Sequence, residues 1–147
     1  MPKLLPRVCD FLLLFAAATL FGACLTSTMK TGNHGWMIPD APYMYEPFDF
    51  YVDAALAALA GLLALMLAER FGRVRRSAAL RGGATLVAAL LALYAAPPDP
   101  QVFGNTWAPW EATRELFLAQ LHLVLPIALA AAALRLGLRG AHARYLR

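Results

Sequence analysis

Four long apolar runs alternate with polar segments along the chain, over residues 8–25, 50–68, 78–96 and 116–136. At about 1.5 Å of rise per residue, each run reaches roughly the 30 Å of hydrocarbon that a bilayer offers. Charges are bunched between the runs rather than spread through them. The third run is the weakest, because Arg81 and Thr85 lie in its first two turns and Arg81 must snorkel towards the headgroups. The fourth contains Gln120, His122 and Pro126. The pattern predicts an all-α integral membrane protein: one domain over residues 1–147, with four transmembrane helices as two antiparallel hairpins.

Composition strengthens this reading. Of 147 residues, 61% are hydrophobic and 15% charged, and the mean hydropathy is +0.57. A soluble fold of this size could not hide so much apolar surface. The basic residues then orient the helices. Lys3, Arg7, Arg70, Arg73, Arg75, Arg76, Arg81, Arg135, Arg139, Arg144 and Arg147 fall on one side, eleven of the 13, against Lys30 and Arg114 on the other. Basic loops stay cytoplasmic, so both termini are expected inside and both longer loops, residues 26–49 and 97–115, outside. The arginine clusters are expected to meet anionic lipid headgroups. They hug helix ends with no aromatic-interleaved groove, which argues against nucleic acid. The expected location is a bacterial inner membrane, spanned several times.

The N-terminal segment carries a competing signal. Residues 20–24 (Leu-Phe-Gly-Ala-Cys) resemble the lipobox of bacterial lipoproteins, which would make Cys24 a lipidated N-terminus. Phe21 and Asp10 fit that pattern poorly, and the first run is expected to remain as a span. Cys9 and Cys24 lie roughly 22 Å apart along one helix, too far to form a disulfide with each other. The two halves look alike, each a span, an aromatic loop, a span and an arginine-rich exit, as in membrane proteins built from repeats. Shared membrane-exit chemistry gives the same look without duplication.

The outer loops hold most of the candidate interaction chemistry. The first carries Trp36, Tyr43 and Tyr45, and the second Trp107 and Trp110; these five are the partner-docking candidates. Asn105 or Thr106 can cap a short helical entry, which would place Trp107 and Trp110 on one face. Glu46, Asp49 and Asp53 are ion or charge-pair candidates, and Asp53, in the first helical turn, is placed to reach Lys30 or Arg114. In the second span Ala54, Ala58 and Gly61 allow close approach of another helix.

Inside the membrane, Gln120, His122 and Pro126 form the pocket candidate. A polar group at that depth needs a partner, and Pro126 lacks the amide that would bond the His122 carbonyl. His34, Met37 and Met44 are weak metal candidates, since imidazole and thioether suit copper. Haem would need a second histidine facing His122, which His34 supplies only if its loop folds back. No nucleophile–base pair, metalloprotease motif, phosphate loop or CxxC is present, so no catalytic activity and no cofactor are expected.

The expectation is a small non-catalytic accessory or assembly subunit of a larger membrane complex, docking through its outer loops and small-residue helix faces. The alternative is a transporter small subunit, or a redox protein handling quinone, haem or copper, with a pocket at His122. The layout is similar to that of the small membrane subunits of tripartite solute transporters. That parallel is one of organisation, with no motif matched residue by residue.

Overall fold

The structure, a computed structural model, describes residues 4–104 and 106–145, with side chains to residue 141. Its described residues are helical apart from loops and one isolated bridge between Ala41 and Tyr45. The elements are α1 (Leu4–Thr31), α2 (Pro47–Ala68), the short α3 (Gly72–Arg76), α4 (Ala78–Ala95), a 3₁₀ turn (Pro100–Val102), the one-turn α5 (Glu111–Thr113), a π-helical turn (Arg114–Leu118) and α6 (Leu121–Tyr145). Four of these helices are long and apolar enough to cross a membrane, the profile of a multi-pass membrane protein.

Two boundaries differ from the apolar pattern. The first helix continues beyond residue 25 through a polar stretch, Thr26 to Thr31. The hydroxyls of Thr26, Thr28 and Thr31 donate back to the carbonyls of Gly22, Cys24 and Ser27 at 2.7–2.9 Å, so they are satisfied within the helix. It stops at Gly32, whose φ of 72° is the left-handed conformation that glycine adopts without strain. The fourth run is not one uninterrupted helix from residue 116. In its π turn the Ala119 amide donates to the Arg114 carbonyl at 2.7 Å, and α6 restarts at Leu121. Pi turns are rare and concentrate at functional sites.

Packing follows the physics of lipid rather than water. In α2 the middle of the buried face is small, Ala54, Ala57, Ala58 and Gly61, between the buried Phe50 and Leu65, while Leu56, Leu59, Leu63 and Leu67 are exposed. Hydrocarbon solvates leucine well, so large side chains can stay outside, and small ones let backbones approach. Gly61 marks the tightest contact, since a Cβ there would sit 2.7 Å from the Ala88 carbonyl oxygen of α4 and 3.3 Å from Leu14 of α1. The small-residue face of α2 is therefore occupied within the chain.

Helix ends converge in two groups. Asp10 of α1, Glu69 just after α2, Thr85 of α4 and Arg135 of α6 meet at one end of the bundle. At the other, Gly22 of α1 lies against Phe50 of α2 and the Ala96 carbonyl after α4. Both longer loops, residues 32–46 and 96–110, lie at this second end.

Candidate functional site

The loop end is a folded cap with its own small core. Ala23, Tyr45 and Phe50 are buried together, with Ile38, Ala41 and Val102 packed against them, so the two loops share one cluster. The first loop is tied down along its length. The Met37 amide donates to the Ala23 carbonyl (3.2 Å), Ser27 Oγ to the Asn33 carbonyl (2.9 Å) and Lys30 Nζ to the Asp40 carbonyl (2.8 Å). Tyr45 Oη donates to Asp53 Oδ2 at 2.7 Å. Burial, then this bond to a carboxylate, pushes the Tyr45 phenol well above its ordinary pKa, so it stays a neutral donor. Asp53 thus pairs with Tyr45 instead of Lys30 or Arg114; Arg114 lies beside Glu115 at 3.0 Å. Asp49 accepts from the Glu46 amide (2.9 Å), capping α2, with Pro47 in its first turn.

From this anchored cap, aromatic side chains stand out. Tyr43 is fully exposed, Trp110 is 80% exposed and Trp36 58%. Tyr43 and Trp110 are also the two described non-glycine residues with positive φ, 66° and 69°. A left-handed backbone costs a bulky L-residue about 1–2 kcal/mol. Tyr43 sits at the tip of the turn closed by the Ala41 amide on the Tyr45 carbonyl (2.9 Å). Trp110 directly precedes α5. The chain therefore holds two large aromatics outward on strained backbone without burying either.

Trp107 does the opposite. Its indole N–H donates to the Pro100 and Gly104 carbonyls (2.8 and 2.9 Å), and its ring packs on the main core. The two tryptophans do not share a helical face, because residues 106–110 are not helical and α5 begins only after Trp110. Thr106 precedes no helix, and Asn105 lies outside the described residues. Among the docking candidates, then, Trp36, Tyr43 and Trp110 face outward, while Tyr45 and Trp107 hold the cap together.

The intramembrane candidates separate too. Gln120 is buried, its Nε2 donating to the Glu115 carbonyl at 3.3 Å, whereas His122 and Pro126 are exposed on the α6 surface. What His122 does meet is His34, with ring centroids 5.5 Å apart and planes at 61°. The first loop does fold back to the fourth helix. Met37 is half-buried and Met44 exposed; among the described residues no cluster of three or more His, Cys, Asp or Glu side chains could hold a metal.

At the opposite end lies a site that sequence reasoning did not assemble. Arg135, 2% exposed, donates Nε to Asp10 Oδ1 (2.7 Å) and Nη2 to Asp10 Oδ2 (3.0 Å) and Glu69 Oε1 (2.6 Å). Its Nη1 donates to Thr85 Oγ1 at 2.7 Å, and that hydroxyl donates in turn to the Arg81 carbonyl at 2.8 Å. Arg139 bridges the same two carboxylates at 2.9 and 3.0 Å, and Arg7 reaches Glu69 at 2.6 Å. Three guanidinium groups thus surround two buried carboxylates, leaving the cluster with one excess positive charge. Bidentate, charge-assisted geometry of this kind is the strong form of the interaction. It joins α1, α2, α4 and α6 in one knot.

Comparison with known protein families, characterised proteins and solved structures finds no match.

Proposed function

We propose that this protein is a small non-catalytic accessory or assembly subunit of a larger complex in a bacterial inner membrane. In this reading its helices form two antiparallel hairpins with both termini cytoplasmic, and the cap faces outward. The cap docks onto an outward-facing surface of a larger membrane protein through Tyr43, Trp110 and Trp36. The observation that carries the reading is the strained, outward presentation of Tyr43 and Trp110 on an otherwise satisfied cap. Exposed large aromatics are the side chains that most often anchor interfaces. Strain retained at an exposed site is typical of positions kept for function.

The charge knot supports a static role. An interhelical network with this many direct pairs resists the rocking of helices that alternating access requires. A transport or redox pocket built from Gln120, His122 and Pro126 together draws less support, because Gln120 points into the protein while His122 and Pro126 face out of it. The lipid-facing surface leaves the small-residue seam to internal packing, so docking falls to the loops.

The test is purification from native membranes in mild detergent with mass spectrometry of the eluate. Larger membrane proteins are expected in stoichiometric amounts, and substituting Trp36→Ala with Tyr43→Ala should release them. A lone oligomer, or full retention by the double variant, overturns the proposal.

A further inference from the structure

His34 and His122 are 88 positions apart in sequence, one in a loop and one in a helix, yet their rings are in edge contact at 5.5 Å. Both side chains are exposed, so neither is there to fill a core. We propose that the pair is a binding site for a late first-row divalent metal ion such as Cu²⁺ or Zn²⁺, with the remaining coordination positions open to water or a partner.

The separation fits. With a metal–nitrogen bond of about 2.1 Å and a ring nitrogen about 1.1 Å from its centroid, two imidazoles on one tetrahedral ion have centroids roughly 5.2 Å apart. Imidazole is the ligand type that these ions favour, with copper at the top of the divalent affinity order.

The hydrogen bonding around His34 also suits a ligand. Its Nδ1 lies 3.5 Å from Thr28 Oγ1. That hydroxyl already donates its proton to the Cys24 carbonyl at 2.9 Å, so towards the ring it can only accept. The Nδ1–H tautomer matches that arrangement, and in it the Nε2 lone pair is free for a metal. A ligating histidine commonly has its second nitrogen held by such a bond, which fixes tautomer and orientation. His122 is placed by two local irregularities: the π turn ends shortly before it, and Pro126 four residues on removes the amide that would bond its carbonyl. The site lies at the end that carries the cap but uses none of the docking aromatics, so it stands or falls independently of the proposed docking.

The test uses the full chain in detergent or nanodiscs, with Cu²⁺ as the probe. One equivalent is expected to bind, with an electron paramagnetic resonance spectrum split by two imidazole nitrogens. His34→Ala and His122→Ala should each abolish the equimolar two-nitrogen signal, while His142→Ala leaves it unchanged. Zn²⁺ should compete for the site and raise the melting temperature of wild type but of neither variant, since an ion bridging loop and helix stabilises only the folded state. Both rings are exposed, so the variants should fold with wild-type melting temperature in the absence of metal. Binding that persists in either variant, a one-nitrogen spectrum, or no equimolar binding by wild type overturns the proposal.

Discussion

At the residue scale the most demanding group is Arg135. Four of its five N–H donors are used, on Asp10 twice, Glu69 once and Thr85 once. Removing one member of a buried network leaves uncompensated charge and typically costs about 3–5 kcal/mol. Arg135→Ala should therefore lower stability by about 3 kcal/mol or more in a detergent unfolding titration. Arg135→Lys should not rescue it, because a point charge cannot serve Asp10 in bidentate fashion while reaching Thr85. A wild-type unfolding curve for either variant would mean that the knot contributes nothing. Tyr45 is the corresponding residue in the cap. Tyr45→Phe removes its bond to Asp53, a loss of about 1.5–3 kcal/mol for a hydrogen bond to a charged group, and should make the first loop markedly more sensitive to protease.

At the scale of elements, the helices were legible and the knot was not, although its signal was present. Long apolar runs are dictated by the solvent, so counting them finds the spans. The same counting reads the charges in and beside those runs only as an interruption, Asp10, or as orientation signals, Arg135 and Arg139. Register tells more. Asp10 continues the inward stripe of Leu14, Ala17 and Phe21, and Arg135 continues that of Val124, Ala128 and Ala131. Glu69 follows Gly61 and Leu65 in the same way, and Thr85 leads into Ala88, Ala89 and Ala92. Opposite charges on inward stripes of apolar helices must find one another, since an unpaired ionisable group at membrane depth is costly. Other features had no sequence signal. The left-handed turn at Trp110, the inward seat of Trp107 and the return of His34 to His122 all depend on how the loops pack. The small-residue seam makes its own prediction. Gly61→Val should weaken the contact of α2 with α4 by about 1–3 kcal/mol through overpacking, seen as a lower melting temperature. An unchanged value would show that the two helices can separate freely.

At the scale of the whole molecule, one end is closed by ion pairs and the other presents aromatics. This asymmetry suits a subunit held rigid from one side so that the other can be offered to a partner. It also separates stability from association. Trp107→Ala should destabilise the cap by roughly 2 kcal/mol or more through lost packing and an unmet hydrogen bond. The outward residues should behave in the reverse sense. Tyr43 and Trp110 bury little and strain the backbone, so glycine at those positions should leave the isolated protein as stable, or more stable by about 1 kcal/mol per site. Docking through the loop tips is therefore tested most directly by one variant, Tyr43→Gly with Trp110→Gly, compared with wild type for melting temperature and for co-purification from native membranes. The expected result is an equal or higher melting temperature together with loss of the larger partner. A partner retained in full by this folded variant would contradict a docking role for the aromatic cap.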